Sequence, residues 1–205
     1  MKEKQIQNDI LVAAKRVFTA KGKSAARMQE IADEAGVNKM LLHYYFKSKD
    51  ILFTEVLKDV LTELYYSVVD ISYKADKFED VLSTFIDRHF EFLQERRDIL
   101  MFLFWEVNHG GADMVHTVVE TFKSLGGTPL DALVARIGEA ADAGEIKKID
   151  PYDMIFNLFS LNIFFYISLP LINLHTQLDK NELNTLSERR KKEIFRLLWN
   201  DIKSY

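Results

Sequence analysis

Residues 28–46 read MQEIADEAGVNKMLLHYYF, and their pattern indicates the fold of the N-terminal part of the chain. A short apolar stripe at helical spacing ends at Gly36, where a left-handed stop is expected. Asn38 can then cap a second short helix that runs through Leu42 to Tyr45. Two short helices joined by a tight glycine-containing turn predict a helix-turn-helix module, although a purely structural helical corner has the same spacing.

Longer helices are predicted on both sides of this module. Apolar residues recur at three- and four-residue steps from Ile6 to Phe18, which predicts a first helix over residues 4–21 that stops at Gly22. Ser48 can cap a fourth helix whose apolar positions extend to Leu64. The predicted head therefore has a first helix, the two short helices and the start of a fourth.

Side chains that follow the turn favour DNA binding over a structural corner. Leu42 and Phe46 lie four residues apart and can hold the second short helix against its neighbours, which leaves Lys39, Met40, Leu41, His43 and Tyr44 exposed. Cations and aromatic hydroxyls that can reach phosphates are concentrated in the eleven residues 39–49. They are Lys39, His43, Tyr44, Tyr45, Lys47 and Lys49.

Charge is distributed unevenly along the 205 residues. Residues 1–55 carry ten Lys and Arg against seven Asp and Glu, a net charge of +3, within a chain whose net charge is −4. A basic head on an acidic body is typical of a chain whose head contacts phosphates. The composition, 48% hydrophobic and 28% charged, excludes a disordered chain, and the lack of cysteine excludes disulfides and thiolate chemistry and agrees with a reducing cytoplasm.

Residues 22–53 closely resemble the N-terminal DNA-binding domain of TetR-type transcription regulators. The resemblance rests on IAxxAGVxK at residues 31–39 and YFKSK at residues 45–49. It implies an all-α chain with a three-helix helix-turn-helix domain at residues 1–50 and a larger helical domain at residues 51–205. The resemblance also implies that this second domain binds an effector and forms a homodimer, and that the effector weakens binding to a DNA operator.

Five positions depart from the pattern usual in that family. Ala26 and Arg27 stand where hydroxyl residues usually cap the second helix and touch a phosphate, so Arg27 is expected to make that contact. His43 replaces the usual tyrosine, and Met40 and Leu41 replace small residues. The predicted DNA-binding residues are Arg27, Gln29, Lys39, Met40, Leu41, His43, Tyr44, Tyr45 and Lys49.

The body is predicted to be helical throughout. Apolar stripes cover residues 78–93, 99–107 and 130–141, and Asp150-Pro151 is a typical helix start. By the resemblance, the last two helices, residues 152–174 and 182–203, form a four-helix dimer interface with those of a second copy. The predicted interface residues are Ile155, Phe159, Ile163, Ile167, Ile194, Leu197 and Leu198.

Residues 154–178 contain no charged side chain, which raises the alternative of a membrane-anchored helical adaptor. Asn157, Asn162 and Pro170 are among the residues that interrupt the apolar run. A helix packed on its own core and on a partner chain has the same composition. We therefore predict that this helix lies at a dimer interface and that the chain has no membrane partner.

A second alternative is a helical carboxylate and histidine metalloenzyme. Glu106, His109, Asp113 and His116 would share one face of an uninterrupted helix, as in half of a carboxylate-bundle metal site, but Gly110-Gly111 is expected to break that helix. We predict no metal, no cofactor and no enzymatic activity. Aromatic residues with a few polar ones in the middle of the body predict an effector pocket instead: Phe102, Trp105, Glu106, His109, Phe122, Phe156 and Asn162. The predicted function is a cytoplasmic repressor that a small apolar or aromatic effector releases from a palindromic operator.

Overall fold

The computed structural model describes residues 2–72 and 76–204, and every regular element within these ranges is an α-helix. The helices are α1 (Lys2–Ala25), α2 (Met28–Glu34), α3 (Lys39–Tyr45), α4 (Lys49–Ser72), α5 (Phe78–Glu95), α6 (Arg97–His109), α7 (Gly111–Ser124), α8 (Pro129–Asp142), α9 (Pro151–Thr176) and α10 (Lys180–Ile202). The all-α fold class predicted from the sequence is confirmed.

The helix-turn-helix follows the sequence signals closely. Gly36 has a φ of 66°, a left-handed conformation that glycine adopts without steric cost. The Asn38 side chain accepts a hydrogen bond from the backbone N–H of Leu41 at 2.8 Å, and the Ser48 hydroxyl accepts one from Ile51 at 3.2 Å. Both predicted caps are therefore present.

Helix α1 differs from its predicted end. It extends to Ala25, four residues beyond the predicted end at residue 21, and is interrupted at Gly22, where φ is 74° and ψ is 166°. The predicted stop is thus a break within the helical segment, because the backbone resumes helical geometry directly after the glycine.

The chain divides into two compact units. The first contains Met1–Glu63 and Asp98–Gly126, so it unites the head with α6 and α7. Its core is built around aromatic rings: Phe18 and Phe53 lie with ring centroids 5.2 Å apart, and Phe53 and Phe102 lie 5.8 Å apart. Leu42 and Phe46 of the helix-turn-helix are buried as predicted, and this burial holds α3 in the unit.

The second unit contains Leu64–Arg97 and Gly127–Tyr205. Its centre is α5, whose predicted apolar stripe is buried along its whole length. Phe90 stacks on Phe165 of α9 at 5.5 Å, and the Tyr166 hydroxyl donates a hydrogen bond to the Phe90 carbonyl oxygen at 3.0 Å. Asp150 caps α9 by accepting a hydrogen bond from Tyr152 N–H, as its position before Pro151 predicts.

Helix α9 is long and apolar enough to cross a membrane, with a mean hydropathy of 1.8 in an 18-residue window. Length and composition alone are weak evidence, since core helices pass the same test. Only 28% of that window is buried within this chain. The large apolar side chains left outside include Phe156, Phe164, Leu171 and Leu174, and these four are called the outer face of α9 below.

Candidate nucleic-acid interface and ligand site

Helix α3 presents a wide, exposed surface of mixed chemistry. Met40 is 82% exposed and Tyr44 is 73% exposed, values that are unusual for large apolar and aromatic side chains on a packed helix. Lys39 and His43 are also exposed, as predicted. Leu41 is half-buried, contrary to expectation, because it lies on the helix flank next to the fully buried Leu42.

Cations in the head fall into two groups. Arg16, Lys21 and Lys23 form ion pairs with Glu34, Glu30 and Asp50, respectively. Within the described residues, Arg27, Lys39 and Lys47 are exposed and form no ion pair. Cations without a carboxylate partner are the ones available to phosphates, because no internal ion pair has to be broken.

The pairing affects the titration of two carboxyl groups. The hydrogen bond and charge of Lys23 hold the pKa of Asp50 below its usual range, and Lys21 does the same for the pKa of Glu30. Both carboxylates are therefore ionised near neutral pH, and each neutralises one cation of the head.

Arg27 occupies the cap position of α2 and makes no side-chain cap hydrogen bond, which agrees with the predicted loss of the cap. Gln29 is exposed on α2, where its amide donates to Asp33 at 2.8 Å. The Lys49 ammonium donates to the carbonyl oxygens of Ser24 and Ala26 at 3.2 Å each, so it already fastens the segment between α1 and α2. One of its three donors remains for a phosphate.

Tyr45 lies beside Tyr44 with ring centroids 5.2 Å apart. Desolvation, reinforced by Glu3 and Tyr44, raises the pKa of the Tyr45 hydroxyl. A hydroxyl that keeps its proton can donate a hydrogen bond to a phosphate oxygen, the role predicted for this residue.

The predicted effector residues lie in both units. Phe102 and Glu106 are buried in the first unit, whereas Trp105 and His109 are exposed there and stack at 3.9 Å, and Phe122 is half-buried. Phe156 and Asn162 belong to the second unit, where Phe156 is exposed and Asn162 is completely buried. The predicted effector residues of α6 and α7 therefore lie in the first unit, and those of α9 lie in the second.

Asn162 is part of a buried polar pair in the second unit. Its side-chain amide lies 3.0 Å from His89 Nδ1, and His89 is flanked by the rings of Phe85 and Phe159. Burial lowers the pKa of His89 to about 3, so the imidazole is neutral at physiological pH. Among the described residues, Asn162 Oδ1 has no hydrogen-bond partner although it is buried.

His89 was not predicted as a site residue, because its position makes it one member of an apolar stripe. The available signal was its polarity: His89 is the single imidazole in the run Phe78–Leu93, whose other stripe members are hydrophobic. A buried polar group needs a partner, so a histidine in such a stripe indicates a second polar side chain on a facing helix.

The predicted interface residues are divided between core and surface. Ile155, Ile194 and Leu198 are buried within the second unit itself and offer little area to a partner. Leu197 is exposed, and Phe159, Ile163 and Ile167 are half-buried. At about 100° of rotation per residue, Ile163 and Ile167 lie beside the outer face of α9.

The helix that would carry the four residues of the metalloenzyme alternative is interrupted, as predicted: α6 ends at His109 and α7 begins at Gly111. The side chain of Asp113 lies outside the described part of the structure. In the described part, no three His, Asp or Glu residues come together as a metal site.

Comparisons with known proteins agree with the geometry of the head. Residues 10–56 match the family described as bacterial regulatory proteins, tetR family. The HTH-type transcriptional repressor SCO4008 of Streptomyces coelicolor is 34% identical over 109 residues, which are 52% of this chain and 53% of that protein. The chain thus matches about half the length of this relative.

Two solved structures share the fold over nearly the whole chain. A proposed fatty acid metabolism regulator of Clostridium perfringens aligns with a TM-score of 0.72 and 22% identity, covering 96% of this chain and 100% of that one. The transcriptional regulator FadR of Bacillus subtilis, solved with stearoyl-CoA, aligns with a TM-score of 0.67 and 21% identity, covering 92% and 97%. These structures and this chain share a helix-turn-helix head followed by a helical body. The TetR-type resemblance of the sequence is confirmed by the family match at residues 10–56.

Proposed function

We propose that the chain is a cytoplasmic, dimeric transcriptional repressor that binds a palindromic DNA operator through α3 and is released by an apolar effector. The observation that carries the proposal is the exposed surface of α3, where Met40 and Tyr44 stand out from the protein beside Lys39. Apolar side chains suit thymine methyl groups, and a lysine can read the O6 and N7 acceptors of guanine.

The proposal is supported over the two alternatives by the family match and by the repressor among the relatives. It also accounts for the free cations Arg27 and Lys47, which a metalloenzyme would not require at the helix-turn-helix. The deciding experiment is selection of bound sequences from random duplex DNA. Recovery of a palindrome with half-sites about one helical turn apart supports operator binding by a dimer. The absence of any enriched sequence contradicts the proposed function.

Two substitutions in the head separate base contacts from phosphate contacts. We expect Lys39→Ala to cost about 1 to 3 kcal/mol of binding free energy and to relax the preference at one base pair. Arg27→Ala should weaken binding to all sequences and reduce the slope of log K against log salt by about one unit. Fluorescence anisotropy over a salt series measures both effects.

The control is Lys192→Ala, which removes an exposed cation from α10 in the second unit. We expect this variant to bind with the wild-type affinity and salt slope. An unchanged salt slope for the Arg27→Ala protein would show that Arg27 does not contact a phosphate.

The effector is proposed to bind in the second unit with a polar group directed to Asn162. The unpaired Oδ1 atom of this buried amide needs a hydrogen-bond donor, which a ligand or a water molecule can provide. Fatty acyl-CoA is the first effector class to test, because FadR of Bacillus subtilis was solved with stearoyl-CoA and shares this fold.

Titration with stearoyl-CoA is expected to weaken operator binding by about 5- to 150-fold, the effect of a coupling free energy of about 1 to 3 kcal/mol. Asn162→Leu should abolish this response, because it removes the polar anchor and retains similar volume. Asn157→Leu changes an exposed amide on the same helix and should respond as the wild type does. Equal responses in all three proteins would contradict the role of Asn162.

A further inference from the structure

Glu106 has an unusual environment within the first unit. It lies near the end of α6 and is only 6% exposed. Its Oε1 atom accepts a hydrogen bond of 2.7 Å from the backbone N–H of Lys23, directly after the break of α1 at Gly22. A helix interruption leaves backbone N–H groups without partners, so Glu106 acts there as a cap supplied by a distant helix.

The charge of Glu106 has no counterpart in this arrangement. In the described residues, no lysine, arginine or histidine forms an ion pair with it, and its one hydrogen-bond partner is a neutral backbone N–H. The nearby Lys23 directs its ammonium to Asp50 at 2.9 Å and lies 5.0 Å from the centre of the Phe53 ring. A buried carboxylate without a cation is energetically costly, so this site favours the arrival of a positive charge.

A cavity of about 390 Å³ adjoins this carboxylate. Its walls come from α1, α4, α6 and α7 and include the Lys23–Asp50 ion pair, Phe53, Thr54, Glu106 and Met114. The volume falls at the lower end of the range of about 300 to 1,000 Å³ that is typical of small-molecule sites. The Glu106 carboxylate, which has no ion pair in the described part of the chain, and the Thr54 hydroxyl can hold a cationic head, while Phe53 and Met114 offer an apolar and aromatic wall.

We propose that this cavity, called the Glu106 cavity, binds a small organic cation such as an amidine or an amine with a short apolar body. The ligand would pair with the Glu106 carboxylate and replace part of the interaction with Lys23 N–H. The segment of residues 22–26 leads directly into α2 of the helix-turn-helix, so occupancy would alter the support of the DNA-binding helices. This regulatory consequence rests on the proposed function, whereas binding of the cation does not.

Benzamidine is a suitable probe, because its planar cation matches a carboxylate and its ring matches the apolar wall. Benzamide has the same shape without the charge and is the matched control ligand. Calorimetric titration without DNA is expected to give one benzamidine per chain with a dissociation constant of about 1 mM or below, and no measurable binding of benzamide. Absence of saturable benzamidine binding would overturn the proposal.

The protein variants test the same point. Glu106→Gln keeps an oxygen for the Lys23 N–H and removes the charge, so benzamidine should bind at least about tenfold more weakly. Glu120→Gln removes an exposed carboxylate of α7 and should bind as the wild type does. Equal affinity in Glu106→Gln and the wild type would show that the probe binds elsewhere and would refute the proposal.

Thr54→Leu provides a second route if Glu106→Gln fails to fold. It reduces the cavity volume and leaves every charge in place, so loss of benzamidine binding is expected, and retained binding would contradict the site. Operator binding is measured separately. If the chain binds benzamidine through Glu106 but binds no operator, the cation site is supported and the proposed function is contradicted.

Discussion

A double substitution on the outer face of α9, Phe156→Asp with Phe164→Asp, is expected to convert the proposed dimer to a monomer. Phe156 is 71% exposed and Phe164 is 68% exposed, so both are available to a second copy. In a two-fold dimer each substitution occurs twice, and the lost apolar burial is about 6 kcal/mol or more, which raises the dimer dissociation constant by about four powers of ten. Sedimentation velocity measures the change.

Loss of the dimer should also abolish tight operator binding, because one helix-turn-helix contacts too few base pairs. The matched control is Val12→Asp, which places the same charge at an exposed apolar position of α1 and should remain dimeric. A wild-type chain that is monomeric would contradict the dimer. A chain that stays in solution only with detergent would instead favour the membrane alternative for α9.

Acid is expected to destabilise the second unit through His89. The pKa of this group falls from 6.5 to about 3 on folding because burial disfavours the imidazolium. Below pH 6.5 the unfolded chain therefore binds more protons than the folded one, so stability decreases as the pH falls from 6.5 toward 3. The full contribution is about 5 kcal/mol, of which about 2 kcal/mol is lost by pH 5.

The measurement is urea unfolding of the wild type and of His89→Gln at several pH values. Glutamine keeps a hydrogen-bond partner for Asn162 and cannot titrate, so the stability difference between the two proteins should change in favour of the variant as the pH falls. His116→Gln removes an exposed histidine and should follow the wild-type profile. Parallel profiles for His89→Gln and the wild type would contradict a neutral, buried His89.

The helix-turn-helix could be predicted almost completely, because its signals are local. Gly36, Asn38 and Ser48 determine turn and cap geometry within four residues of themselves, and each behaves as its sequence position predicts. Helix periodicity likewise identified the buried stripe of α5. These features depend on backbone conformation and on the period of 3.6 residues, both of which can be read from adjacent residues.

The candidate sites were less predictable, because they depend on which distant residues meet. A single sequence does not indicate that Glu106 caps the break at Gly22, or that Lys49 is held by two carbonyl oxygens. The face that α9 turns to the core could not be predicted from the sequence either. Its residues are apolar on nearly all sides, so the hydrophobic pattern does not distinguish the buried Ile155 from the exposed Phe156.

The all-α class, the helix-turn-helix head and the resemblance to the tetR family could thus be read from the sequence, since each follows from short-range spacing and specific motif residues. The pairing of His89 with Asn162, the burial of Glu106 against the Lys23 N–H and the face of α9 that is left uncovered are visible only in the folded chain. The physical reason is that burial and pairing arise from packing between helices far apart in the chain, and neither helical period nor residue type specifies the partner of a given face.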